Sequence, residues 1–222
     1  FMLTKMPICL SSELIQEALY AIFHEGFDFT LNEQTGNFFY DPWILKEKYK
    51  GTVWQTIMDT LPGVVGEAKV RRLNAGESYI GHSDIDDRFH LNISGEKCYI
   101  INIETETMYP TVADGYWYSM DASPKHTAVN FGNRVRFQLV VRKLLRLSKL
   151  VDPVSVIIKS VIDDKAEARY IFDDRVSSWL NSANKNGIVN DFNYSNDVIK
   201  FNIERQHLSE FKNILPQEFE IV

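Results

Sequence analysis

The sequence predicts a mainly β fold with flanking helices and a sandwich or barrel at its centre. Three observations predict it. Residues 68–145 break into short segments rich in β-formers and separated by turn residues. No long helical pattern interrupts them, which excludes a doubly wound parallel sheet. Helical periodicity is confined to the stretches before and after.

The elements follow in order. Leu14, Ile15, Ala18, Leu19, Ile22 and Phe23 recur at helical spacing. Ser11 or Ser12 can cap that helix, Glu13 suits its positive end, and Gly26 can close it. The aromatic, turn-rich segment FDFTLNEQTGNFFYDPW reads as a short strand pair. A second helix is expected over 52–61, with Val53, Ile57 and Leu61 on one stripe and Pro62-Gly63 as its stop. Strands are then expected at AKVRRL, SYIGHSD, RFHLNI, CYIINIE, GYWYSMD, HTAVNF and RVRFQLVVRKLL. Beyond Arg146, Asp152-Pro153 followed by Val154, Ile157, Ile158 and Val161 predicts a helix. Another is expected over 175–184, ending at Asn186-Gly187, and VIKFNI reads as one strand. The chain thus divides into residues 1–150, a β domain with N-terminal helices, and residues 151–222, a helical or mixed α/β appendage.

Apolar residues make up 45% of the 222 and charged residues 24%, an ordinary globular composition. The net charge of −6 argues against wholesale nucleic-acid binding, which needs a basic footprint. Cys9 and Cys98 lie in no CxxC pair, so both read as reduced, buried thiols. No apolar run approaches the roughly 18 residues of a membrane span. FMLTKMPICL is too short and broken for a signal peptide, and Phe1 reads as a cloning remnant. A cytoplasmic location is expected.

The chemistry concentrates in the β region. His82 and Asp84 form an H-x-D, and residues two apart on a strand share a face. His126 follows several strands later. Two histidines and one carboxylate with open positions form the facial triad of non-heme Fe(II) oxygenases. Ten residues on, Arg136 lies mid-strand, sharing a face with Arg134 and Gln138, while Val135, Phe137 and Leu139 share the other. Burying such a cation is costly unless an anion meets it, and a guanidinium suits a carboxylate. Likewise Arg88, His90 and Asn92 oppose Phe89, Leu91 and Ile93. Both faces of these strands are therefore expected to be covered. The polar face lines a pocket and the apolar face packs on the N-terminal helices. Each feature also has a plain alternative: a polar surface turn for GHSDIDD, a protein carboxylate or water for Arg136. Trp43 and Trp54 read as core, and Trp117 and Tyr118 as core or pocket wall. Asp86 and Asp87 read as a turn, His24 as a helix-end residue, and His207 has no partner pattern.

RRLNAGESYIGHSD, RFHLNI, DGYWYSMDASPKHTAVN and RVRFQLVV together resemble the aspartyl/asparaginyl β-hydroxylase family of Fe(II)- and 2-oxoglutarate-dependent oxygenases. The resemblance covers about a third of the chain. It rests on Gly76, Arg88 and His90 as R-x-H, then Gly115, Asp121, His126, Asn130 and Arg136, in the family's order. In carrying Asp84 the chain is closest to the HxD-containing bacterial amino-acid hydroxylases. Arg71 stands where the family has a small hydroxylated residue.

The resemblance implies a double-stranded β-helix, the cupin-like jelly roll. It implies that His82, Asp84 and His126 bind Fe(II), that Arg136 holds the distal carboxylate of 2-oxoglutarate, and that Arg88 and His90 contact its other end. O2 is the second cosubstrate. The expected activity is hydroxylation of an amino acid or of a peptide or protein side chain. Small-molecule or peptide substrates are the expected partners, with no nucleic acid and no membrane. The appendage is expected to cap the site or to form a homodimer, so metal binding should survive its removal. Two rivals remain: a cupin-type metalloenzyme that does not use 2-oxoglutarate, and a non-catalytic jelly-roll binding module.

Overall fold

The computed structural model describes residues 2–195 and 198–222. Phe1 lies outside them. In chain order the elements are β1 (Leu3–Cys9), α1 (Ser12–Glu25), β2 (Phe29–Thr30), β3 (Asn32–Glu33), β4 (Ile44–Leu45) and α2 (Val53–Met58). There follow β5 (Ala68–Leu73), β6 (Arg88–Ser94), β7 (Cys98–Asn102), β8 (Thr107–Pro110), β9 (Tyr116–Met120), β10 (His126–Asn130) and β11 (Arg136–Arg142). The C-terminal segment holds β12 (Pro153–Ser160), α3 (Lys165–Arg175), α4 (Ser177–Lys185), β13 (Val189–Ser195), β14 (Val198–Glu204), α5 (Leu208–Ile214) and β15 (Phe219–Ile221).

The core is a jelly roll of two antiparallel sheets. The larger runs β1-β9-β6-β11-β5-β2 and the smaller β10-β7-β8. On the larger sheet β11 is central. Its Leu139 pairs with Val70 of β5 on one side and Leu91 of β6 on the other. The period-2 alternation then sends Phe89, Leu91, Ile93, Phe137 and Leu139 to one face. There they pack against Ala18 and Ile22 of α1 and Trp54 and Ile57 of α2. Burial of this apolar stripe holds the helices to the sheet. Ser11 caps α1, its hydroxyl accepting from the Leu14 amide at 3.2 Å. Trp117 belongs to this layer, donating Nε1–H to the Thr60 hydroxyl at 2.9 Å, and so does not wall the pocket. The other face, carrying Arg88, His90, Arg136 and Gln138, turns toward the smaller sheet and lines a cavity.

Several expectations need correction. β1 was not foreseen, because its apolar residues do not alternate cleanly; it pairs with β9 at the sheet edge. The segment 78–84 is not a regular strand. It pairs with the smaller sheet at isolated bridges, Ser78 to Val129 and His82 to His126, and the Thr127 hydroxyl donates to the Tyr79 carbonyl at 2.6 Å. The region after Asp152 is a strand, not a helix. β12 pairs with β14 and β15, burying Val156 and Ile158 two residues apart. The helical spacing of Val154, Ile157, Ile158 and Val161 loses to the β-branched run VSVII. Pro153 is tolerated because it is the strand's first residue. α3 was also missed, although Asp164 caps it through the Ala166 and Glu167 amides. Cys98 is buried but Cys9 is exposed.

The C-terminal segment forms a sheet of its own, β13-β14-β12-β15, with α3, α4 and α5 against it. Its core is shared with the rest of the molecule. Phe39 and Ile85 are buried among Phe172, Leu180, Phe192 and Phe201, and Phe39 meets Phe192 ring to ring. Among the described residues no helix is long and apolar enough to cross a membrane.

Candidate active site

His82, Asp84 and His126 converge, with one ligating atom from each lying within 4.8 Å of the others. His82 and His126 face each other across their bridge. Each amide donates to the other's carbonyl, at 2.9 and 2.8 Å, and the rings stand 4.6 Å apart. Both rings have a fixed tautomer. Nδ1 of His82 lies 2.8 Å from the Ile80 carbonyl, and Nδ1 of His126 lies 2.8 Å from that of Pro124. A carbonyl only accepts, so each Nδ1 carries the proton and each Nε2 presents a lone pair. Those Nε2 atoms stand 3.8 and 3.7 Å from Oδ2 of Asp84. Burial pushes the His126 pKa down, against the pull of Asp84, and so favours the neutral ring. Burial would raise the Asp84 pKa, but the charge of Arg88, the largest opposing influence, helps hold it below the ordinary carboxylate value. Two imidazole nitrogens and one carboxylate on one side of a cavity are the donor set that suits Fe(II), and the residues present fit that ion.

Arg88 lines the same cavity and makes two carboxylate contacts within the protein. Its Nη2 lies 3.0 Å from Oδ1 of Asp84, which leaves Oδ2 facing the histidines. Its Nη1 meets the Asp86 carboxylate and donates to the Asp86 carbonyl at 2.8 Å. Asp86, 3% exposed, also receives Nε and Nη2 of Arg142, the former at 2.6 Å. The expected turn thus carries a buried charge centre, Asp84–Arg88–Asp86–Arg142. Arg142 ends the same face of β11 that carries Arg136 and Gln138, a period-2 signal that could have found it. Its guanidinium lies 3.6 Å from the ring centre of Phe38.

Arg136 meets no carboxylate among the described residues; the Tyr79 side chain is the group beside it. Arg136 is 1% exposed, and its Nε and Nη1 make no hydrogen bond among the described residues. Its stem packs beside Gly95, where an added Cβ would stand 3.0 Å from Arg136 Cγ and from Cys98 Sγ. His90 is buried nearby, its Nδ1 also unpaired. Burial, with Arg136 and Arg88 adding to it, pushes the His90 pKa down to about 3. Arg134 is mostly exposed and paired loosely with Glu96, so it takes no part.

These groups line one cavity of about 650 Å³, bounded also by Arg71, Tyr79, Ile100 and Met120. That is within the usual range of ligand sites, roughly 300–1,000 Å³. A second cleft of about 420 Å³ shares Glu67, Asp84, Arg88 and Arg142 with it, and its far wall is Arg169, Phe172 and Tyr194 of the C-terminal segment.

No family model matches the chain, and no curated protein matches it. Among solved structures it is similar to the viral collagen prolyl hydroxylase vCPH of Paramecium Bursaria Chlorella virus-1, in a truncated form. The identity is 11% and the TM-score 0.43, over 65% of this chain and 91% of that one. A Pseudomonas putida prolyl-4-hydroxylase matches at 14% identity and a TM-score of 0.39, over 65% of this chain and 88% of the other. Neither of these is an aspartyl/asparaginyl hydroxylase.

Proposed function

We propose that the protein is an Fe(II)- and 2-oxoglutarate-dependent dioxygenase that hydroxylates an amino acid or a peptide or protein side chain. One observation carries the reading. A buried arginine whose Nε and Nη1 have no hydrogen-bond partner among the described residues shares a cavity with a converging His–Asp–His set. A buried cation without a counterion is expensive, and a carboxylate arriving with a ligand would relieve it. A metalloenzyme that does not use 2-oxoglutarate would leave Arg136 unexplained, and a binding module would leave the triad unexplained.

Nε2 of His82, Nε2 of His126 and Oδ2 of Asp84 would hold Fe(II), which when bound supplies the activation of O2. The remaining work falls to the protein. Arg136 would clamp the distal carboxylate of 2-oxoglutarate with a planar fork, setting how far the cosubstrate reaches toward the triad. His90, neutral and with Nδ1 unpaired, remains available to the cosubstrate's other end, and Arg88 lines the same cavity while pairing with Asp84 and Asp86. Arg88 keeps Asp84 ionised and turned by one oxygen toward the histidines. The balanced outcome is R–H, O2 and 2-oxoglutarate giving R–OH, succinate and CO2. The acceptor would approach through the adjoining cleft against Phe38, Arg169 and Tyr194.

The test is anaerobic titration with Fe(II) and 2-oxoglutarate, followed by succinate release on admitting O2 across a panel of amino acids and peptides. Saturable 2-oxoglutarate binding that requires Fe(II) and is lost in His126→Ala is expected. A wild-type protein that binds no 2-oxoglutarate with Fe(II) present ends the proposal.

A further inference from the structure

Within the H-x-D segment only His82 is tied to the smaller sheet, by its bridge to His126, so Ser83 and Asp84 must be fixed by other contacts. Their backbone groups show which. The Asp84 amide donates to the Ala122 carbonyl at 2.9 Å, within the jelly roll. The neighbouring contacts come from the C-terminal helices. The Ser83 amide donates to the carbonyl of Asp173 in α3 at 3.0 Å. Nδ2 of Asn181 in α4 donates to the Asp84 carbonyl at 3.0 Å and reaches Oδ1 of Asp87 at 3.3 Å. Asn181 is 1% exposed. Flanking ties act in the same sense. Lys185 at the end of α4 bridges Asp87 at 2.9 Å and Asp121 at 2.8 Å, and Lys125, beside His126, pairs with Asp174.

We infer that α3 and α4 are an integral part of the metal centre, and that Asn181 is a positioning residue acting through Asp84. This rests on the reading that His82, Asp84 and His126 take a divalent metal. The argument is one of complementary constraint. Arg88 fixes the Asp84 carboxylate from the jelly-roll side, and Asn181 fixes the same residue's backbone from the C-terminal side. Side-chain direction follows backbone direction in a segment without a ladder, so both are needed to aim Oδ2 at the histidines. A buried asparagine with only a packing role would bond segments other than the one that carries Asp84. Asn184, one turn further along α4 and likewise buried, gives the comparison: it bonds Arg146 and Val189 and makes no hydrogen bond to residues 82–87 among the described residues.

That pair supplies the experiment. Co(II) affinity and the visible Co(II) spectrum are measured anaerobically on the full chain for wild type, Asn181→Ala, Asn181→Asp and Asn184→Ala, with thermal midpoints alongside. Groups that orient ligands typically affect metal affinity by about 10–100-fold. Asn181→Ala and the near-isosteric Asn181→Asp, which cannot donate, are expected to weaken Co(II) roughly tenfold or more and to change the spectrum. Asn184→Ala is expected to lower the midpoint while keeping Co(II) affinity within about twofold of wild type. Should the Asn181 variants fail to fold, hydrogen exchange on wild type serves instead. Adding Co(II) should slow exchange across α3 and α4 as well as at residues 82–84. Wild-type affinity in both Asn181 variants, equal losses at Asn181 and Asn184, or protection confined to 82–84 and 126 would each overturn the inference. A wild type that binds no Co(II) would instead remove the metal reading beneath it.

Discussion

Arg136 offers the sharpest test, because two measurements should move in opposite directions. Arg136 is 1% exposed, and its Nε and Nη1 have no hydrogen-bond partner among the described residues. Arg136→Leu removes that charge and keeps most of the stem's bulk beside Gly95. Replacing buried charge with apolar volume is often neutral or stabilising by about 1–4 kcal/mol. At about 2–4 °C per kcal/mol for a chain of this size, the ligand-free melting temperature should rise by several degrees. Binding of 2-oxoglutarate should do the reverse. Losing one partner of a buried charge pair costs about 2–5 kcal/mol, which is roughly 30-fold to a few thousand-fold in Kd. Co(II) affinity should barely change, and Arg136→Lys should recover only part of the cosubstrate affinity because a point charge cannot supply the fork. The assays are thermal melts of the ligand-free protein and anaerobic 2-oxoglutarate titration of the metal-loaded one. A Leu variant that binds 2-oxoglutarate as wild type does, or that melts well below it, refutes the reasoning.

Three further outcomes are expected. Asp86→Asn leaves Arg88 and Arg142 short of their shared countercharge, so chemical denaturation should show a loss of about 3–5 kcal/mol; a loss below about 1 kcal/mol would contradict the charge centre. His90 has a folded pKa of about 3 against an ordinary value near 6.5, so the unfolded chain takes the proton first as pH falls. Its contribution is complete above about pH 6.5 and shrinks toward pH 3; between pH 7 and 5 wild type should lose about 2 kcal/mol that His90→Gln does not, and parallel pH profiles would refute this. Gly95 has φ of +134° and no room for a Cβ beside Arg136, so Gly95→Ala should lower stability by about 1–3 kcal/mol and also weaken 2-oxoglutarate binding; unchanged cosubstrate affinity would separate Gly95 from Arg136.

The β core was legible because its pattern is local. In RFHLNI and RVRFQLVV every second residue is apolar, and the two faces meet different surroundings as that alternation requires. His82, Asp84 and His126 were legible as a set only through their types and spacing. The regular strand assumed for 78–84 does not exist, and the geometry comes from a two-residue bridge instead. Asp86 does lie in a bend before β6, but its burial and pairing are not legible locally, since they depend on Arg88 and on Arg142, 56 positions away. Asn181 was invisible, since its partner carbonyl lies 97 positions earlier. The misassigned strand at Pro153–Ser160 shows the same limit from the other side. Four apolar residues satisfied helical spacing, while the burial that decides between periods is set by pairing with β14 and β15.

The bridge between His82 and His126 has a consequence for folding order. Closing a flexible loop of about 44 residues costs on the order of 3 kcal/mol in chain entropy. Here two reciprocal amide–carbonyl bonds hold the closure through the backbone, without calling on the imidazoles or the Asp84 carboxylate. An ion entering late therefore meets ligands already in register, and its affinity is not reduced by the cost of drawing two distant segments together. Chelation should then slow unfolding far more than it speeds folding, and a chelator added during refolding should leave the rate nearly untouched while shortening the lifetime of the folded state.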